Sequence, residues 1–257
     1  MPAPQVTPTR PNARFGRITN ISDIVTSKYN GLVAMFNRRM TSGLQLQAFY
    51  TFANTSDTGQ SSQTFTASNN VLNPFDLALE NGRSNFDIHH HFGSTLVWQP
   101  NYFAQKGTLV RTALDGWTIA PIVMVSSGAP YTATVSGNAP VAATFVRVST
   151  GILGAGGSGR LPEIARNRFQ MPRTVNVDLR LAKKFSLYES WKLELFGEAF
   201  NLFNHVNATS VGTRNFSIGG TAAAPTLVAD PQFAVVQSSS NSLLAQRQIQ
   251  IGARLNF

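Results

Sequence analysis

Gln248-Ile249-Gln250-Ile251-Gly252-Ala253-Arg254-Leu255-Asn256-Phe257 is the stretch whose reading decides the fold. Ile249, Ile251, Ala253, Leu255 and Phe257 fall on one face of a strand. Gln248, Gln250, Gly252, Arg254 and Asn256 fall on the other. Side chains alternate sides along a β-strand, so this period of two predicts one apolar and one polar face.

The same pattern recurs upstream. In Arg173–Phe185, Val175, Val177, Leu179 and Leu181 oppose Asn176, Asp178, Arg180 and Ala182. Leu44–Phe52 sets Leu44, Leu46, Ala48, Tyr50 and Phe52 against Gln45, Gln47, Phe49 and Thr51. Trp191–Phe200 sets Leu193, Leu195, Gly197 and Ala199 against Lys192, Glu194, Phe196 and Glu198. Phe86–Trp98 alternates too, with His90 intruding on its apolar row. Tyr29–Arg38, Trp117–Val125 and Phe15–Ile24 complete a set of about eight predicted strands. Apart from a turn around Leu77–Asn81, no helix is expected.

The connections sort by length. Thr41-Ser42-Gly43 and Ser186–Ser190 are short, and Gln99–Leu114 is moderate. The alternate connections, Ala53–Arg83, Gly128–Pro172 and Asn204–Leu243, are long and rich in Ser, Asn, Gly, Ala and Thr. In an up-and-down sheet every second connection lies at the same end. Long loops at one end and short turns at the other is the arrangement of transmembrane barrels. The expected fold is therefore all-β, an antiparallel up-and-down transmembrane β-barrel segment over residues 1–257. A self-contained eight-strand barrel acting as adhesin or structural protein is the second reading. A soluble β-sandwich binding module is the third.

Composition agrees. The chain has 257 residues, 42% of them hydrophobic and only 13% charged, with mean hydropathy −0.06. Soluble domains average about a quarter charged residues. Neutral polar side chains must supply the hydrophilic faces here. No stretch reaches the roughly 18 apolar residues of a membrane helix, a test that strands evade. The absence of Cys removes disulfide scaffolds and thiol chemistry. The net charge of +9 is scattered, with no basic block or helix, so nucleic acid is not an expected partner.

Three patterns invite chemistry. Asp87, His89 and His91 lie at i, i+2 and i+4, a donor set suited to zinc, copper or nickel, with an ordinary polar lumen face as the plainer reading. Gly154–Gly159 matches a dinucleotide fingerprint, but Arg160-Leu161-Pro162 follows where a phosphate cradle needs a helix. Glu194 and Glu198 would stand about 13 Å apart by strand rise, beyond the roughly 5–9.5 Å of glycosidase pairs. Glu194 with Lys192, and Asp178 with Arg180, read better as polar pairs between lumen-facing strands. Neither an enzyme nor a cofactor is expected. Trp98, Tyr102, Phe103, Trp117, Tyr188 and Trp191 are expected to form an interfacial girdle at the short-turn end.

The terminal stretch resembles the β-signal read by the outer-membrane assembly machinery, through Gln250, Gly252, Leu255 and Phe257. Further segments, in order, resemble the barrel of TonB-dependent receptors of the Oar-like kind, whose N-terminal domain is carboxypeptidase-regulatory-like. They are Ser27-Lys28-Tyr29-Asn30-Gly31-Leu32, Arg38-Arg39-Met40-Thr41-Ser42-Gly43-Leu44, Tyr50-Thr51-Phe52, Phe86-Asp87 with His90-His91-Phe92, and Gly116-Trp117. Ser127-Gly128-Ala129-Pro130-Tyr131, Val177-Asp178-Leu179-Arg180, Glu198-Ala199-Phe200-Asn201-Leu202-Phe203-Asn204 and Arg247-Gln248-Ile249-Gln250 follow. The resemblance implies a place in the cell outer membrane and the last third of a barrel of about 22 strands around a plug. It also implies uptake of a ligand, with a TonB-type transducer acting through the plug. Met1-Pro2-Ala3-Pro4 does not read as a signal peptide, and neither it nor a plug is expected within these residues. The implied partners are outer-membrane lipid and the assembly machinery.

Overall fold

The computed structural model describes residues 14, 23–59, 77–102, 105, 107–136, 160, 164–187, 190–221, 224–239 and 245–257. In chain order its strands are β1 (Ser27–Thr41), β2 (Leu44–Asp57), β3 (Gly82–Arg83), β4 (His90–Trp98), β5 (Trp117–Ser126), β6 (Pro130–Tyr131), β7 (Thr134–Ser136) and β8 (Phe169–Gln170). They continue as β9 (Thr174–Ser186), β10 (Lys192–Phe200), β11 (Ser210–Val211), β12 (Arg214–Gly220), β13 (Pro225–Ala229), β14 (Val236–Ser238) and β15 (Gln248–Asn256). A 3-10 turn spans Leu77–Glu80, and one α-helix, α1, spans Thr108–Leu114.

The seven long strands make one antiparallel sheet in the order β1-β2-β4-β5-β9-β10-β15, with β3 added beside β2. Each long strand pairs with the next long strand in the chain, which is the predicted up-and-down path. The sheet is not closed: β1 and β15 stand at opposite ends of the order. Among the described residues no strand joins β1 to β15, so the eight-strand closed barrel of the second reading is not seen there. The predicted strand Phe15–Ile24 lies almost wholly outside the described residues.

Register carries one set of side chains across the whole wall. Leu32 pairs with Phe52, Tyr50 with Phe92, and Phe92 with Val125. Val125 pairs with Val175, Leu179 with Ala199, and Ala199 with Ile249. All these residues share a face, and each alternation read from the sequence falls in phase with the others. A slip of one residue on β9 would turn Asp178 and Arg180 onto that face. Arginine at a bilayer midplane costs about 2–4 kcal/mol, so the phase is strongly determined. The row Leu44–Phe52 is about 27 Å long by strand rise. Tilted by 35–45°, it rises about 20 Å, close to the ~25 Å apolar band of barrel walls.

The apolar face is exposed along much of its extent: Leu32, Tyr50, Phe52, Ile249 and Ile251 all are, and Ile251 keeps 87% of its surface. Among the described residues no second sheet covers it, so the β-sandwich alternative does not hold.

The β1–β2 hairpin turns through Ser42 and Gly43, with φ of 51° and 75°. Two left-handed residues suit the twist of a two-residue hairpin, and Gly takes the second without strain. The ladder between β4 and β5 skips Leu96 and Val97, opposite Pro121. Proline has no N–H to donate, which accounts for the gap.

Three features depart from the sequence reading. The strand predicted from Phe86 begins at His90, because Ser84–Asp87 forms a turn closed by Asp87 N–H to Ser84 O at 3.1 Å. Helix α1 was not expected. The long connections are not plain loops either: β11 pairs β14, β6 pairs β8, and β13-β12-β7 forms a three-stranded sheet. In that small sheet β12 and β7 run parallel, across a separation too long for local pattern to reveal.

Candidate functional site

The wall has two chemically distinct sides, and the polar side carries a network across three strands. Arg180 on β9 reaches both Glu194 (2.9 Å) and Glu198 on β10. Gln250 on β15 donates to Glu198 from the opposite flank. The two carboxylates sit on one side of one strand, as the alternation requires, and share a single guanidinium between them. That arrangement offsets one of the two negative charges, Lys184 Nζ lies 3.8 Å from Glu194, and the contacts bind three strands together. The predicted partner of Arg180 was Asp178. The structure instead gives Asp178 to the outer end of the wall, where it accepts from Asn176 Nδ2 (2.9 Å) and the Asn201 backbone N–H (2.8 Å).

Asn201 explains part of the Glu198–Asn204 segment. Its φ is 49°, in the left-handed region that Asn tolerates. There its amide holds His205 O and Ala245 O at 3.0 Å each. The residue ends β10 and ties the outer connection back to the base of β15.

Gln250, Gly252, Leu255 and Phe257, the positions that resemble a β-signal, lie on β15 or immediately after it. Gln250 and Gly252 face the polar side; Leu255 and Phe257 belong to the apolar row. The geometry gives a reason for the glycine. Gly252 pairs with Phe196, and a Cβ on Gly252 would collide with the Phe196 ring. Arg180 stacks on the same ring, 4.2 Å from its centroid. Gly93 and Phe49 repeat the device between β4 and β2. The sequence carried this signal as an aromatic on one strand and a glycine on the next, legible only once register is known.

The girdle is partly seen. Trp98, Trp117 and Trp191 come at the short-turn ends of β4, β5 and β10, and Phe257 packs against Trp191 with ring centroids 5.6 Å apart. Tyr102 is exposed in the connection after β4. Phe103 and Tyr188 lie outside the described residues, as does Gly154–Gly159.

Asp87, His89 and His91 do not converge as a ligand set. Asp87 is fully buried ahead of β4. Its carboxylate accepts from Thr55 N–H (2.6 Å) and Arg83 Nε (2.6 Å), and His89 Nε2 lies 3.1 Å away. His91 meets the edge of Phe49 instead. No group of three potential metal ligands occurs among the described residues.

A buried polar cluster at the long-connection end of the sheet is not signalled by the sequence. Arg160 bonds Glu80 at 2.6 Å, and Arg166 pairs with Asp57. Arg166 Nε also donates to Glu80 O at 2.9 Å. Asn167 accepts from Thr132 and donates to Arg83 O and Asn85. All of these arginines and carboxylates are buried apart from Arg83. Burial pushes the Arg160 guanidinium down from its ordinary value, Glu80 opposes this, and the nearby Arg166 charge adds to it. Beside the cluster, Tyr131 and Phe169 from one long connection and Phe233 from another pack ring to ring, at 5.0–6.1 Å between centroids. Burial raises the Tyr131 hydroxyl above its usual range.

An apolar belt, a polar side and long outer connections knotted above it are the parts of a membrane barrel wall. No curated protein matches the chain. Residues 2–250 match the family model described as outer membrane beta barrel domain, nearly the whole length. The chain belongs to that outer membrane β-barrel domain family, and its place is the outer membrane.

Proposed function

We propose that this wall belongs to the barrel of a TonB-dependent receptor that takes up a small ligand. The observation that carries the reading is the open sheet. Its seven long strands follow a single up-and-down path, and among the described residues β1 and β15 each lack a partner on one edge. An exposed strand edge in lipid leaves backbone groups without partners, so a membrane sheet must close. Seven strands are too few for the wide bore that a plug needs, whereas about 22 suffice. The outer cluster of Arg160, Arg166, Glu80 and Asp57 ties two of the long connections into one surface. A ligand would meet that surface first. The wall alone supplies no energy; a plug and an inner-membrane transducer would do so.

The test is genetic and transport-based. In the source cell, the gene would be deleted and uptake of ferric citrate, cobalamin, maltodextrin and a short oligopeptide followed with and without a protonophore. The reading expects at least one uptake to be lost both on deletion and on collapse of the proton gradient. Unchanged uptake of all four, together with a reading frame encoding no plug upstream of this wall, would overturn it.

A further inference from the structure

We infer that α1 is an interfacial anchor, seated among the phospholipid headgroups of the leaflet at the short-turn end. The inference rests on the lipid-facing side of the wall and not on the transport reading.

Helix α1 has seven residues, about 10 Å of helix. Isolated helices shorter than about 12–15 residues are marginal in water. This one is held by its last turn. Trp117 Nε1 donates to Ala113 O at 2.9 Å. Lys183 Nζ donates to Ala113 O at 3.3 Å and to Asp115 O. Those carbonyls are among the groups that a helix end leaves unpaired, and a cation there also opposes the negative end of the helix dipole.

The clamp fixes which side of the wall the helix occupies. Trp117 and Lys183 are register partners in the same row as Leu181, Leu179, Val177 and Val175. That is the apolar, outward row. Lys183 follows its last aliphatic residue, is itself buried, and lies between the Trp117 and Phe185 rings at 5.2 and 5.7 Å. A lysine in a lipid-facing row is tolerated only near the interface, with its stem against apolar neighbours.

What α1 then exposes matches that level. Val110 and Leu114 keep 43% and 45% of their surface, and Arg111 is exposed beside them. The helix thus offers aliphatic groups and a cation next to Trp117, in continuity with the aromatic ends of β4 and β10. Apolar groups at the acyl boundary with a cation toward phosphate is the chemistry of an interfacial helix.

The test uses the full-length protein in native outer-membrane vesicles. Since these residues contain no Cys, Val110→Cys, Val177→Cys and Ser42→Cys each give a single site here for an NBD fluorophore. Quenching by shallow (5-doxyl) and deep (12-doxyl) lipid nitroxides is compared with quenching by aqueous iodide. The inference expects the Val110 label to be quenched about twofold more by the shallow nitroxide than by the deep one, and shielded from iodide relative to Ser42. In a Lys183→Met background the Val110 label should lose that quenching while the Val177 label keeps its own. Iodide access at Val110 equal to Ser42, shielding from all three quenchers as under a bound protein, or indifference of Val110 to Lys183→Met would overturn it. Loss of lipid quenching at Val177 itself would instead overturn the lipid-facing wall on which the inference stands.

Discussion

The wall and the outer polar cluster solve the burial problem in opposite ways. Along β9, Val175, Val177, Leu179 and Leu181 go to one side and Asn176, Asp178 and Arg180 to the other, so the apolar row carries no charge until Lys183 at its short-turn end. In the outer cluster, charges are buried outright and matched in pairs. Arg160 meets Glu80 across 80 residues of chain, and Arg166 meets Asp57 across 109. The wall draws its order from a pattern repeated every second residue. The cluster draws its order from single long-range partners, each of which fails alone. The wall should therefore tolerate polar exchange on its lumen side and resist it on its lipid side, while the cluster should be sensitive at individual residues.

Breaking one pair tests the cluster hardest. Asp57→Ala leaves Arg166 buried without its carboxylate, and such a loss costs about 3–5 kcal/mol. Hydrogen exchange should accelerate in residues 164–170 and at the outer end of β2, with the middle of β9 unchanged. The double variant Asp57→Leu/Arg166→Leu should recover most of the protection, because removing both charges removes the stranded one. Equal protection in Asp57→Ala and the parent would show that the pair holds nothing.

Next in size is the lipid row. Leu179→Arg should destabilise the wall in bilayers by about 2–4 kcal/mol by denaturant titration. The exchange of a lumen neighbour, Asn176→Gln, should cost far less. A smaller effect belongs to the close contact on the terminal strand. Gly252→Val must displace the Phe196 ring, and overpacking of this kind costs about 1–3 kcal/mol. Adding Phe196→Ala should relieve the clash. Recovery of heat-resistant folded protein on gels would report both variants.

The smallest effect is local and depends on pH. Asp230 is held below the usual carboxylate range by the Arg214 guanidinium first and the Gln232 backbone N–H second. A carboxyl depressed on folding adds stability above its unfolded value near 3.9 and loses it as pH falls through the lower folded value. Exchange protection of the β12–β13 pair should accordingly fall below about pH 4, and Arg214→Gln should shrink that pH-dependent loss.

What was legible follows from the same contrast. The seven long strands, their phase and the sorting of short turns from long connections are all local patterns, and they could be read from residues such as Ile249, Ile251 and Val177. The start of β4 was misplaced because Phe86 and Ile88 continue the alternation numerically, while the buried Asp87 carboxylate, bonded to Thr55 N–H across the sheet, bends the chain there. Helix α1 left a faint trace: Leu109, Val110, Ala113 and Leu114 recur at helical spacing, but seven residues are too few to outweigh a loop reading. The outer cluster left none. Nothing near Arg160 or Arg166 in the sequence points to Glu80 or Asp57. Within the Glu198–Asn204 segment, the left-handed Asn201 and its amide bonds to His205 O and Ala245 O account for one residue of the family pattern.

The most direct measurement is a spin-label scan of Val175 through Ala182, one cysteine at a time, in native membranes, reading collision with oxygen against collision with a water-soluble nickel chelate. Oxygen contact peaking at Val175, Val177, Leu179 and Leu181, with nickel contact peaking between them, is the outcome a wall between lipid and a watery bore requires. Uniformly low contact with both reagents, or the opposite phase, would contradict it.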